Sequence, residues 1–423
     1  MWAECGPLRR PLRSDVADRP GGSPHELWED GVAAERRPVP QKFRRGVSPP
    51  VRVDGVGLHP FGRFGEKTAS AMGVVAVRAA LADAGWPNPT DARPHLGATF
   101  CATAYGGVAS GHRVLGPLGL TGMPIIDVEA GCASGGAALS LAASAIRSGE
   151  HEAALVLGVE KMPKGIIRSS FFEPWQEQAG LTPAPAYFAL RAQRLMREHG
   201  LTKRDLADLV VKNRRWGARN PDAMFRAEVT AEEVLASRVV CEPLHLWMLC
   251  SPNEGAAAVV LRRGSGGIEL RAAALRSHLP GDVLDESTPM SGLVDAAVSA
   301  PTTLAATDAY RTAGLGPDDV DVVECQDTDA GRELLSWYEL GVCEAGDQRR
   351  LLGDDGRTGP AVNRSGGLLS KGEPLGASGL GQVVEVVRQL RGHAGDRQVP
   401  EARVGLAHTI GRGANASVTV LTR

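Results

Sequence analysis

Residues 127–161 read DVEAGCASGGAALSLAASAIRSGEHEAALVLGVEK, and this stretch decides the fold. Pro124 to Val128 is strand-like, a tight glycine turn follows, and ALSLAASAIRSG then reads as a helix of small and apolar residues closed by Gly149. EAALVLGVE is an apolar run of strand length. The unit is strand, turn, helix, strand. Its turn puts Cys132 at the helix start, reached through Ala130 and Gly131. There the positive end of the helix dipole favours thiolate, which is the address of a nucleophile. The plain alternative is a small buried cysteine filling a strand–helix junction.

Working outward, the triplet Ala133, Ser134, Gly135 recurs as Ala377, Ser378, Gly379. A helix (LGQVVEVVRQLRG) and an apolar strand (ARVGLAHTIGRG) follow again. The repeated order of elements implies a duplicated α/β half, with two sheets and helices between and around them in five alternating layers. VRVDGVGL is strand-like, Thr68 to Ala84 has helical spacing, and His95 to Ala102 is a further strand. GAAAVVLRR closes the first half and GIELRAAALR opens the second. A helix near Ala300 to Ala313, the strand VDVVEC, the helix GRELLSWYELG and the strand ASVTVLTR complete it.

Residues 160–250, with Pro, Trp and Arg clusters and helical segments at Tyr187 to His199 and Lys203 to Val211, read as an inserted loop subdomain. The expected organisation is a flexible leader over 1–48, rich in Pro, Arg, Gly and Glu, an N-terminal half over 49–265 and a C-terminal half over 266–423.

Forty-seven Lys and Arg against 49 Asp and Glu give a net charge of −2, too near neutrality to point to nucleic acid. Seven cysteines (Cys5, Cys101, Cys132, Cys241, Cys250, Cys325 and Cys343) lack CxxC spacing, so the expectation is thiols in a reducing compartment and no metal site. The start has no apolar stretch of signal length and no later run approaches a membrane span, so a cytoplasmic protein with no membrane contact is expected.

The chain resembles the thiolase superfamily over residues 50–423, particularly the sterol-carrier-protein-x and lipid-transfer-type thiolases. The stretches that carry the resemblance are VGLHPFGR (56–63), DVEAGCASGGAAL (127–139), AIRSGEHEAALVLGVEKM (145–162), NEGAAAVVL (253–261) and NRSGGLLSKGEPLGASG (363–379). The resemblance implies an α/β fold with the duplicated five-layer α-β-α-β-α architecture. It also implies a homodimer and acyl-thioester chemistry with acyl-CoA or an acyl carrier protein as donor. Coenzyme A enters as substrate, and no cofactor is permanently bound.

Three positions depart from the family. Its GHP motif is here Gly372, Glu373, Pro374; its HDCF motif is Gln326, Asp327, Thr328, Asp329; its second cysteine is replaced at Thr409, before Ile410 and Gly411. The nucleophile position keeps Cys132. By the resemblance, the backbone N–H groups of Cys132 and Gly411 form an oxyanion hole, which side-chain replacement leaves intact. Glu373 replaces the histidine that serves the enolate. Against a thiol near 8.5, Glu near 4.3 is the poorer base: deprotonation is uphill by roughly 5.7 kcal/mol, against roughly 2.7 for histidine. The pair would share one proton, and a protonated Glu373 would donate a hydrogen bond.

Cys132 and Glu373 are therefore the expected catalytic residues, and Gln326, Thr328, His408, Thr409 and Ser378 are candidates for lining the site. Asp327 and Asp329 read as helix caps ahead of paired acid and base. A lone His408 reads as structural ahead of catalytic, and Asn363 and Ser365 read as loop stabilisers. The expected reaction is acyl transfer through an acyl-Cys132 thioester. Its rivals are a retro-aldol or Claisen-type carbon–carbon enzyme, with a small OB-fold partner protein in the retro-aldol case, and a noncatalytic acyl-binding subunit.

Overall fold

Strands arise here in two ways. β1 (Val51–Gly62) alternates buried and half-buried residues, whereas β2 (Ala98–Ala102) is buried throughout. β3 (Ile125–Val128) is the outermost strand of its half, and β4 (Ala153–Lys161) is buried up to its last residue. A short ribbon, β5 (Val239–Cys241) with β6 (Leu244–His245), precedes β7 (Glu254–Arg263). The second half has β8 (Ile268–Arg276), β9 (Val322–Glu324), β10 (Ala361–Val362), β11 (Val404–Gly411) and β12 (Asn415–Thr422). The computed structural model describes residues 49–164, 174–178, 184–279, 299–354, 356, 358–411 and 415–423. The expected leader, 1–48, lies outside the described residues.

Uninterrupted apolar runs mark strands covered on both faces. Val156 of β4 and Val259 of β7 face a central cluster with Leu139, Ile146 and Val383. Their neighbours Leu155 and Val260 face an outer cluster with Met72, Val77 and Leu81. Met72, Val77 and Leu81 belong to the helix Ala69–Asp83, capped by Thr68, whose hydroxyl accepts from the Ala71 N–H at 3.1 Å.

The strand order is β3-β2-β4-β7-β1-β8-β12-β11-β9-β10. Read inward from either end, the connectivity is the same. β2 is parallel to β3 and β4, and β9 to β10 and β11; β7 and β12 then run antiparallel to their neighbours. The two sheets expected from the sequence are hydrogen-bonded into one, because β1 and β8 pair at Arg52–Glu269 and Val53–Ile268. The short connection 264–267 carries the chain past the start of β1, with the Gly264 N–H donating to the Pro50 carbonyl at 2.9 Å.

Two helices, Ser134–Arg147 and Leu375–Arg391, contact each other and strands of both halves. They form the middle layer. Ala69–Asp83 covers one half-sheet outside, and Pro301–Ala313 the other. The second central helix starts at Leu375, ahead of the expected LGQVVEVVRQLRG, so the glycine-rich LGASG is helical. Packing explains this: a Cβ on Gly135 would stand 3.4 Å from Gly379 Cα, so the two repeated triplets meet. Only small residues fit such a crossing. Within the insertion, Lys203–Ala218 runs past the expected Val211, starting from a Thr202–Asp205 capping box.

The loops after β2 and β3 leave the C-terminal ends of one parallel pair and those after β9 and β11 the C-terminal ends of another, the ends at which open α/β sheets place their sites.

β4 approaches the middle layer closely at Gly158, where a Cβ would stand 2.5 Å from the Gly376 carbonyl oxygen and 2.8 Å from Ala377 Cα. Gly158→Ala is expected to destabilise the protein by about 1–3 kcal/mol. Gly116→Ala, where a Cβ meets nothing within 4 Å, should not. Denaturant midpoints of the two variants check this; equal midpoints contradict it.

Candidate active site

β3 ends at Val128, and the turn after it is clamped by side chains. Glu129 accepts from the Gly131 N–H at 2.8 Å. The Ser134 hydroxyl accepts from the Ala130 N–H at 2.8 Å and donates to the Gly131 carbonyl at 2.6 Å. Gly131 has φ +58°, a conformation that favours glycine. Cys132 then occupies a single 3-10 turn, Gly131–Ala133, running into the helix Ser134–Arg147. It is 6% exposed, beside Met162 and Leu375, and lies in the wall of a cavity of about 750 Å³.

The end of β11 presses onto this turn. A Cβ on Gly411 would stand 2.3 Å from the Ala130 carbonyl oxygen and 2.9 Å from the Cys132 nitrogen. The two main-chain segments therefore touch, one from each half of the fold. Gly413 lies outside the described residues.

Glu373 lines the same cavity. Its main chain is zipped to a neighbouring segment: the Glu373 N–H donates to Ser251 at 2.9 Å, and the Asn253 N–H donates back to Glu373 at 3.3 Å. Gly372 before it has φ +84°, and a Cβ there would stand 1.9 Å from Asn253 Nδ2. The carboxylate accepts on both oxygens, from Gln326 Nε2 at 2.6 Å and from the Cys250 thiol at 3.1 Å. Desolvation first, then the charge of Glu373, pushes the Cys250 thiol well above its usual range, so it keeps its proton.

Buried carboxylates hold the surrounding loops. Glu160 accepts from the N–H groups of Ala104 at 2.8 Å and Gly376 at 3.2 Å, tying the loop after β2 to the second central helix. Asp327 accepts from the N–H groups of Leu368 at 2.7 Å and Leu369 at 3.0 Å, fixing the short helix Gly367–Lys371 that leads to Glu373. Burial pushes both carboxyls up, against the pull of these donors. Asp329 caps the helix Ala330–Glu339 through the Arg332 N–H at 3.0 Å and pairs with Arg191. Both aspartates are structural. Asn363 accepts from the Cys325 N–H at 2.9 Å, and Ser365 bonds Glu324.

Of the other candidates, Thr328 lines the cavity, and its carbonyl accepts from the Cys250 N–H at 2.9 Å. Gln326 stands behind the wall and holds Glu373. His408, Thr409 and Ser378 do not line the cavity, for separate reasons. Thr409 bonds Ser417 at 2.8 Å between the sheet and the central helices. Ser378 donates to the Leu375 carbonyl at 3.1 Å within its own helix. His408 is fully buried: Nδ1 accepts from the Gln326 N–H at 3.5 Å, which leaves Nε2 to donate to Thr302 at 3.1 Å. Desolvation, then the Arg332 charge, holds His408 well below its ordinary range, as the neutral ring.

The sequence reading missed Cys250, which carries no motif and sits just before the NEGAAAVVL block. It also missed the apolar wall that the insertion supplies, including Tyr187, Phe188, Phe225, Trp247 and Leu249. Among the described residues, no group of three or more His, Cys, Asp or Glu is arranged to hold a metal ion. Among the same residues, no helix is long and apolar enough to cross a membrane.

Residues 56–265 match the family described as thiolase, N-terminal domain, and residues 286–423 the thiolase C-terminal domain-like family. The chain belongs to the thiolase superfamily, and with it to the acyltransferases. It is 38% identical to an acetyl-CoA acetyltransferase of Methanothermobacter thermautotrophicus, over 72% of this chain and 82% of that one. It is 34% identical to human sterol carrier protein 2, over 88% and 71% of the two chains. Benzoylsuccinyl-CoA thiolase subunit BbsB of Thauera aromatica is also 34% identical, over 87% and 96%. In fold it is similar to the Ltp2-ChsH2(DUF35) aldolase, with a TM-score of 0.74 at 23% identity over 89% of this chain and 99% of that one. Human mitochondrial 3-ketoacyl-CoA thiolase gives 0.67 at 17% identity over the same shares.

Folding holds His408 neutral, whereas the unfolded chain takes up a proton near the ordinary 6.5. As pH falls below that value the unfolded state binds more protons, so stability present above it is lost by up to about 1.4 kcal/mol per pH unit. His408→Gln should flatten the pH dependence of unfolding between about pH 6.5 and 5. An unchanged slope contradicts the assignment.

Proposed function

We propose that the protein transfers acyl groups from acyl thioesters through a covalent thioester on Cys132, with Glu373 receiving and returning the proton. The observation that carries this reading is that Cys132 and Glu373 line one cavity, while Gly411 packs on the Cys132 amide. As sulfur attacks the thioester carbonyl, the thiol proton passes to Glu373. The carbonyl oxygen becomes an oxyanion at the N–H groups of Cys132 and Gly411. Collapse breaks the bond to the leaving thiolate, which takes the proton back from Glu373. An acceptor nucleophile then repeats the sequence on acyl-Cys132 and releases the Cys132 thiol.

This chemistry suits the site better than carbon–carbon bond formation. A carboxylate that already accepts from Gln326 and Cys250 has no hydrogen to offer an enolate oxygen. The helix start at Cys132 partly offsets the weakness of Glu373 as a base. The donor is acyl-CoA or an acyl carrier protein, and the protein works in the cytoplasm. A homodimer is the proposed assembly, supported by the open edge of β3, where Ile126 is 44% exposed.

Intact mass spectrometry after incubation with an acyl-CoA panel should reveal an acyl adduct that is absent in Cys132→Ala. Glu373→Gln should slow its formation by a factor on the order of 10²–10⁴, and Glu373→His should raise acetoacetyl-CoA thiolysis. No adduct across the panel, or one that survives in Cys132→Ala, refutes the reading. Cleavage of a β-hydroxyacyl-CoA by Cys132→Ala would favour the retro-aldol alternative and its OB-fold partner. Coenzyme A binding with neither adduct nor turnover would favour a noncatalytic subunit.

A further inference from the structure

The cavity wall contains a buried charge that the proposed transfer does not use. Arg214, on the helix Lys203–Ala218, is 7% exposed. The other buried cations of the described residues, Arg191, Lys212, Arg332, Lys371 and Arg397, each face a carboxylate. Among those residues no hydrogen bond or ion pair reaches the Arg214 guanidinium, and its buried Nε has no partner. Its neighbour is the face of Phe225, with Cζ 4.2 Å from the ring centroid. A cation–π contact offsets only part of the desolvation of a cation. Burial lowers its pKa to about 10, so it remains charged at neutral pH.

Arg214 shares the cavity wall with Cys132 and Glu373, and the segment it packs on is anchored near Glu373. The Phe225 N–H donates to the Ser370 carbonyl at 2.9 Å, and Met224 Sδ lies 3.7 Å from Asn253 Nδ2, so this segment is tied to the loop that carries Glu373. Among the described residues Glu373 is the only acid in the cavity wall, and it is engaged by Gln326 and Cys250. Arg226 and Arg238 line the same cavity but are exposed. Exposed arginines suit hydrated phosphates, whereas a desolvated planar guanidinium among aromatic side chains suits a carboxylate carried in on an apolar chain.

We propose that Arg214 is an anion subsite of the acyl cavity, and that the preferred substrates are thioesters whose acyl group carries a second carboxylate. The inference rests on the reading that this cavity receives the acyl group. It does not require the covalent step.

Binding is therefore measured in full-length Cys132→Ala, by calorimetry, with succinyl-, glutaryl- and adipyl-CoA against butanoyl-, pentanoyl- and hexanoyl-CoA. At least one carboxyacyl-CoA should bind about tenfold or more tighter than its uncharged counterpart. Adding Arg214→Met should remove that preference, a loss on the order of 30-fold or more for a buried charge pair. Arg214→Lys should keep part of it, and matching thermal midpoints show that the variants fold. The same acyl groups on pantetheine, which lacks the phosphates, should show the same preference. Equal affinities within every pair overturn the proposal. So does an Arg214→Met loss that appears equally with uncharged acyl-CoA and vanishes with pantetheine, which would assign Arg214 to a phosphate. Failure of the covalent reading shows separately, as absence of the Cys132 adduct.

Discussion

The site depends on one main-chain contact, the end of β11 against the turn before Cys132. Gly411 leaves no room for a side chain over Ala130 and Cys132, and the two segments come from different halves of a duplicated sheet. They can meet only because the central helices cross at small residues. Gly135 and Gly379 sit at that crossing, Gly158 lets β4 approach the second helix, and Gly376 lets the end of β2 approach it. A bulkier residue at any of these points separates the halves, and the amide groups with them. The scarcity of aromatic side chains and abundance of glycine follow from the same demand.

Carboxylates fill two different roles around this contact. Glu160 and Asp327 accept from main-chain N–H groups and act as staples. Glu373 accepts from side chains alone and faces the cavity. That difference is why Glu373 is the carboxylate proposed to exchange a proton with a substrate. Cys250 keeps its proton because burial and the adjacent charge oppose its loss. It serves as donor to Glu373, and Cys132 is the proposed nucleophile.

Much of this was legible in the sequence, for identifiable reasons. The strand–turn–helix around Cys132 follows from local signals, with Gly131 at positive φ, and the repeated Ala-Ser-Gly triplet marks the helix crossing. Glu373 could be placed through the motif in which it stands. His408, Thr409 and Ser378 were harder. Alternation along β11 puts His408 on the face of Ile410, but only packing shows that Ile410 reaches the cavity while His408 stops beneath Gln326. Cys250 and Arg214 were not legible at all. Nothing local separates Arg214 from Arg215 or Arg219; the distinction is burial in the cavity wall with no opposing carboxylate among the described residues, a property of the tertiary structure. The pairing of β1 with β8 rests on where a short connection carries the chain, which alternation does not encode.

The central claim is that one sulfur, Cys132, is presented as a nucleophile while its neighbour in the wall stays a thiol. Site-resolved alkylation by iodoacetamide at pH 7.5, followed by peptide mass spectrometry, tests it most directly. Cys132 should be modified at least about tenfold faster than Cys250, since each pK unit of difference changes the thiolate fraction by about that factor. Acyl-CoA should protect Cys132. Faster modification of Cys250, or indifference of Cys132 to acyl-CoA, would contradict the account.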